Sequence, residues 1–327
     1  MRKEILCLTL LLCLVLTACQ KSDEPQQQSQ VSLSDASAAI EEEQVLLSVD
    51  GREVPAWRYF YWLRQTCERV CASYAASGTE VDWTAASEEE TLADYVKAQA
   101  LADTVLYATV ENWAEQYGCT ATVSDSVEAE TWLTAEQARE LERVGRLYAA
   151  LYEWFCREES PLFAEEETLE AFAEETGWVG YREILIPFGA EREAAEQKAA
   201  EVFAALNRPQ GKEADLSALT GDGIDISREH TLQLGSGDLP PEKEAVLAGL
   251  SAGQFSGIVE TEDGYAVLQR ITPATDIVRE ALFDHLLLEA AAKAEIRCIP
   301  AYRELDPAEF WAETQKGAND SANSLGG

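Results

Sequence analysis

Histidine is nearly missing from this chain. Its 327 residues hold two, His230 and His285. Neither stands in a Cys/His spacing that could gather ligands, so no metal centre is expected. Basic residues are scarce as well, 25 Lys and Arg against 60 Asp and Glu, for a formal net charge of -35. A chain so acidic is repelled by a phosphate backbone and by anionic headgroups, which excludes nucleic-acid binding and a polybasic membrane patch. No apolar run is long enough to span a bilayer; the nearest, Leu6 to Leu16, falls short. A phosphate loop is lacking, since "TGDG" at Thr220 has no lysine after it, and Ser236 in "GSGD" has no matching base for a nucleophile. No cofactor is implied.

Pairable cysteine is also short. Of eight cysteines, Cys7 and Cys13 lie in the apolar run and Cys19 ends it. Cys67, Cys71, Cys119, Cys156 and Cys298 remain, an odd set that cannot pair completely. Cys67 and Cys71 stand four apart on an expected helix, where a bridge between them would be strained. Buried free thiols are the expectation.

The start of the chain reads as an export signal. Arg2 and Lys3 precede the apolar run, which has the length of a signal core. The run closes in "LTAC", residues 16–19, which resembles the lipobox of bacterial lipoproteins. That resemblance implies lipid attachment at Cys19, and two acyl chains suffice for stable anchoring. The chain is therefore expected at the cell membrane, on its extracytoplasmic face. Residues 20–43 are polar and Gln- and Ser-rich, with little to bury, and read as a disordered tether; residues 317–327 read as a disordered tail.

Between these ends, 46% hydrophobic content and somewhat under 300 residues allow two domains. The first runs over 44–176. Val45 to Val49 predicts a strand, Asp50-Gly51 a turn, and Pro55 the opening of an aromatic-rich helix with Trp57, Tyr59, Phe60, Tyr61 and Trp62. A second helix is predicted from about Thr91 to Tyr117, stopped by Gly118. Thr134 and Gln137 form a capping-box pattern that opens a third. A short acidic helix ends at Gly177.

The pattern then changes over 177–272. Tyr181 to Phe188 predicts a strand, 190–206 a helix, and "DLSALTGDGID" a short helix with a Gly-rich loop. "HTLQL" predicts a strand and Pro241 to Leu250 a helix. "FSGIVETEDGYAVLQRI" predicts a hairpin turning at Asp263-Gly264. Residues 273–316 resume helical spacing from Asp276 to Glu295, followed by strand-like "EIRCIPAY" and a last helical turn begun at Asp306-Pro307.

Two stretches carry a family resemblance. "VDGREVP" and "TLADYVKAQALADTVLYATVENWAEQYGCTATVSD" resemble the N-terminal chaperone domain of SurA and of PrsA-type foldase lipoproteins. The block "EILI", "LGSGDLPPEKEAVLAGL" and "GQFSGIVETEDGYAVLQ" resembles the parvulin, or PpiC-type, peptidyl-prolyl isomerase domain, with Gly253, Ser256, Val259, Thr261, Gly264 and Tyr265 in place. The resemblance implies an α+β fold: a helical chaperone domain with an inserted parvulin-like domain, a small antiparallel sheet flanked by helices. Residues 273–316 would then return to complete the first domain. Its partners would be unfolded or nascent exported polypeptides; its oligomeric state is left open.

Parvulins resemble one another in a floor of two histidines, a Cys or Asp above them, and a Met and a Phe holding the proline ring. Carried over by position, the histidines fall on Glu183 and Ala266, the Met near Leu239 and the Phe near Lys243. The acid is Asp222 or Asp225. Leu239, Phe255 and Tyr265 are the expected groove residues. Glu183 is expected to pair with Arg182 or Arg228, His230 to lie half-exposed on its strand, and His285 to pack on a helix face. With both histidines replaced, isomerase activity is expected to be weak or absent, and client binding to fall to the chaperone part. A structural or adaptor lipoprotein that keeps both folds is the alternative.

Overall fold

The computed structural model describes residues 40–87, 90–123, 132–189, 191–206 and 223–324. Residues 1–39, which include Cys19, and Asp222 lie outside them. The chain divides into two compact units: one of residues up to Arg157 and from Asp284 onward, the other Glu158–Phe283. Among the described residues no helix is long and apolar enough to cross a membrane.

In the first unit, β1 (Val45–Val49) and β2 (Arg52–Pro55) form a hairpin. Its turn places Asp50 at φ 50° and Gly51 at φ 85°, the left-handed pair that a two-residue hairpin demands. Helix α1 (Ala56–Ala76) follows directly. The short strands β3 (Ala86–Ser87) and β4 (Glu90–Thr91) lead into α2 (Leu92–Tyr117), and α3 (Ala135–Phe155) comes next. Both long helices open with a complete capping box, Thr91 with Asp94 and Thr134 with Gln137, so two orphan N–H groups are satisfied at each start. Gly118 ends α2 in the left-handed conformation. The core joins Leu46, Leu47, Val54, Tyr59, Leu63 and Val96 with their neighbours.

The C-terminal residues belong to the same unit. After α7 (Thr275–Lys293), β10 (Ile296–Cys298) pairs with β1, Leu47 opposite Cys298, giving a sheet of order β10-β1-β2. Helix α8 (Pro300–Glu304) and helix α9 (Pro307–Ser324) follow. Tyr302 stacks edge-on against Tyr59, and Phe310 lies flat on Phe60.

The inner bounds of both expected disordered ends shift, while residues 20–39 and 325–327 lie outside those described. Ile40 is 7% exposed and belongs to the core cluster, and Trp57 and Ala56 donate backbone hydrogen bonds to Glu42 and Gln44, so order begins before residue 44. At the other end, Asp306 caps α9 by accepting from the N–H groups of Ala308 and Glu309, and the helix runs on through Ser324. Nucleation is the costly step of a helix, and extension adds little cost per residue.

The second unit opens with α4 (Glu166–Thr176), then β5 (Trp178–Pro187), α5 (Arg192–Leu206), β6 (Asp225–Ile226), β7 (His230–Gln233), α6 (Pro241–Ala248), β8 (Phe255–Glu260) and β9 (Gly264–Ile271). The sheet is antiparallel, in the order β6-β5-β9-β8, with β7 pairing the first half of β5. The unit is wider than residues 177–272. The Gln233 side chain donates to the Thr176 carbonyl, Leu234 N–H donates to the Gly177 carbonyl, and Arg279 donates to the Ala164 carbonyl. The helix expected within "DLSALTGDGID" falls largely on residues outside those described. Strand β6, at its end, was not anticipated.

Candidate active site

β5 and β9 form the floor of the second unit. Their register sets Glu183 opposite Leu268, and Leu185 opposite Ala266. Alternation along strands then assigns the faces. Ile184, Ile186, Tyr265 and Val267 meet α5 through Ala195, Ala199 and Val202. Val179, Tyr181 and Leu268 meet Leu247 of α6, with Leu239 against them. Glu183 and Ala266 share this second face.

Their surroundings differ from a groove. Lys243, third residue of α6, donates to Glu183 Oε1 at 2.6 Å, and the side chains are only 14% and 17% exposed. Glu183 is held in place by its backbone: its N–H donates to Ser227 Oγ, and its carbonyl accepts from Ser227 N–H. The expected partners are therefore corrected. Arg182 pairs with Glu229 because it points to the other face of the strand, and the lysine reaches Glu183 from the helix above. Ala266 is fully buried, flanked by Leu185 and by Val259 of β8.

The three expected groove residues do not line one groove. Leu239 packs on the α6 face, whereas Phe255 and Tyr265 pack on the α5 face. The cause is strand alternation: Tyr265 is adjacent to Ala266 and must point the opposite way. Asp225 is exposed on β6, opposite Leu185. His230 is exposed and stacks on Tyr181 at 5.2 Å. Burial, then the charges of Glu183 and Asp238, push the Tyr181 hydroxyl above its usual range. His285 is exposed, and Leu282, Phe283 and Leu287 take the inner face of α7.

On the α5 face, Tyr265 meets Phe188 edge-on at 5.3 Å, and Arg192 lies over Phe188 and pairs with Glu260. An open recess of about 450 Å³ at this end is lined by Phe188, Arg192, Glu242, Glu260, Thr261 and Glu262. Two motif residues turn out to shape the backbone. Ser256, 2% exposed, accepts from Leu268 N–H and donates to the Gly257 carbonyl, bridging the irregular register between Phe255 and Ile258. Thr261 clasps Gly264 through both backbone groups. Gly264 must be glycine because a Cβ would press into the Ile186 carbonyl. Among the described residues no group of three or more His, Cys, Asp or Glu is placed to hold a metal ion.

Residues 184–272 match the family model described as "Rotamase: PPIC-type PPIASE domain". The second unit carries a PPIC-type rotamase domain. The match begins one residue after Glu183, so it leaves out the first floor position. No curated protein matches the chain. Similar solved structures include the peptidylprolyl isomerase PrsA of Bacillus cereus, 11% identical, covering 76% of this chain and 87% of its own, with a TM-score of 0.24. PrsA of Bacillus subtilis is 15% identical over 77% and 91%, at 0.23. A structure from Campylobacter jejuni, described with the virulence factor PEB4 among SurA-like chaperones, is 12% identical over 78% and 99%, at 0.18.

Proposed function

We propose that the protein is an extracytoplasmic foldase, anchored by lipid at Cys19, that holds unfolded exported chains and turns over prolyl bonds slowly or not at all. The Glu183–Lys243 ion pair carries the second half of this reading. Rotation about an X–Pro bond faces a barrier of about 18–20 kcal/mol set by amide resonance. A catalyst lowers it by binding the twisted amide better than the planar forms. That takes an apolar wall for the ring and polar groups aimed where conjugation is lost. In this rotamase domain the position of the ring-holding Phe bears an ammonium, and one floor position bears a carboxylate that neutralises it. The other floor position, Ala266, has no polar group. The sheet and its hairpin are kept while the preorganised polar contacts are gone.

The aromatic first unit supports the client-holding half, since α1 alone carries Trp57, Phe60 and Tyr61 within one stretch. The test is a protease-coupled peptide isomerisation assay beside suppression of client aggregation, on the same purified protein. Aggregation suppression with isomerisation far below that of an ordinary parvulin is the expected pair of results. Rapid isomerisation would overturn the degenerate-site reading. Absence of both activities would favour a structural or adaptor lipoprotein.

A further inference from the structure

The first unit holds a cleft that the rotamase domain has no part in. Trp57, Phe60 and Arg64 recur at helical spacing on one face of α1. Trp132 and Leu133 stand in the segment just before α3, and Phe310 comes from α9. Between them lies a half-enclosed space of about 200 Å³, with Glu42, Gln137 and Thr314 at its rim. Stacked aromatic pairs contribute to its walls. Phe60 and Phe310 stack at 5.4 Å, Tyr61 stacks on Trp132 at 5.7 Å, and the Arg64 guanidinium covers the Trp132 ring at 4.4 Å. Arg64 also donates to Glu68, so its charge is already answered inside the protein.

The charge left at the mouth is negative. Glu42 is exposed, as are its neighbours Glu41 and Glu43, and so is Glu136 beside Gln137. A net charge of -35 adds a field of the same sign. The space suits one large apolar side chain, and aromatic walls of this kind gain most from a desolvated apolar or aromatic anchor. The field selects what may lie beside that anchor.

We propose that this cleft takes a single aliphatic or aromatic side chain of an extended client segment whose flanking residues are lysine or arginine. The proposal rests on the client-holding half of the function above and names the class of segment held. An acidic flank would meet Glu41, Glu42 and Glu43 and be rejected.

The test uses the full chain and three short tryptophan-free peptides: a central Phe flanked by lysines, the same Phe flanked by glutamates, and a central Ser flanked by lysines. Binding is followed by calorimetry and by tryptophan emission, since Trp57 and Trp132 wall the cleft. The lysine-flanked Phe peptide should bind, the glutamate-flanked one several-fold more weakly, and the Ser peptide more weakly by about tenfold or more. Thr314→Trp fills the cleft from a half-buried rim position and should weaken the Phe peptide by at least about tenfold with an unchanged melting curve. Should that variant unfold, Glu42→Lys, an exposed change, should reduce the preference for lysine flanks. Equal binding by wild type and a folded Thr314→Trp, or indifference to flanking charge in wild type and Glu42→Lys alike, overturns the proposal. If the protein suppresses aggregation but binds none of the peptides, the cleft proposal falls and the foldase reading stands. If it does neither, both fall.

Discussion

Removing the lysine of the Glu183–Lys243 pair should destabilise the rotamase domain sharply, and removing both charges should not. The two charges approach to 2.6 Å with about a sixth of each side chain exposed. At an effective dielectric near 20, charges that close attract by roughly 6 kcal/mol, a gross figure that desolvation of both groups largely offsets. Breaking a fully buried pair from one side costs about 3–5 kcal/mol, because the abandoned charge stays buried. Residual exposure lets water reach Glu183, so about 2–3 kcal/mol is the expected loss for Lys243→Ala. Replacing both, Glu183→Leu with Lys243→Met, should stay within about 1 kcal/mol of wild type, since an apolar pair of similar volume commonly substitutes for a buried ion pair at little cost. Hydrogen exchange of β5 and β9 amides through a urea series reads this domain apart from the first unit. With a slope of about 1–3 kcal/mol per molar, the single variant should unfold roughly 1 M earlier. The reasoning is refuted if Lys243→Ala loses under about 0.5 kcal/mol, or if the double variant loses as much as the single.

Four further outcomes are expected. Glu183→His with Lys243→Phe should raise isomerisation in the peptide assay, whereas adding Ala266→His should first cost stability of about 1–3 kcal/mol, because Ala266 is fully buried and a larger side chain must displace its neighbours. In the first unit, hydrogen bonds and charges from Arg143, with Arg58 adding to them, hold Glu140 below the usual carboxylate range against burial. Its folded value lies below its unfolded one, so that stabilisation is full above the unfolded value and is lost as pH falls through the folded one. Glu140→Gln should therefore flatten the acid side of a melting-temperature profile. Burial, then Cys71 and Glu68, push the Cys67 thiol up to about 12, and its side chain is out of reach of solvent, so an alkylating reagent at neutral pH should spare Cys67 and label the more accessible Cys156, as mass spectrometry of tryptic peptides would show. Truncation after Lys293 should unfold the first unit, since β10, Tyr302, Leu305 and Phe310 leave its core; an unchanged melting transition would refute this.

Local signals were well written in the sequence. Thr134 and Gln137 placed the start of α3 within a residue, because a capping box satisfies its own backbone. Gly118 and Gly177 placed two helix ends, because only glycine takes the left-handed turn without strain. Asp263-Gly264 located the hairpin to within a residue: the turn falls on Glu262 and Asp263, where Thr261 N–H donates to the Gly264 carbonyl, and Gly264 opens β9. The family pattern over the second unit was legible for a similar reason: Gly264, Thr261 and Ser256 each perform a backbone task that few other residues can.

What adjacency in sequence could not say was which side chains would meet. Arg182, next to Glu183, was as plausible a partner as any, yet strand alternation turns it away, and the partner that closes on Glu183 stands 60 residues on. The same period of two sent Tyr265 and Ala266 to opposite faces and divided the expected groove. The cleft of Trp57, Trp132 and Phe310 was equally hidden, because its walls come from two separated helices and the segment that leads into a third. Secondary structure and its ends are decided by neighbours a few residues away, and a sequence carries those directly. Partnership across a sheet or between helices is decided by register and packing, which exist only once the chain has folded.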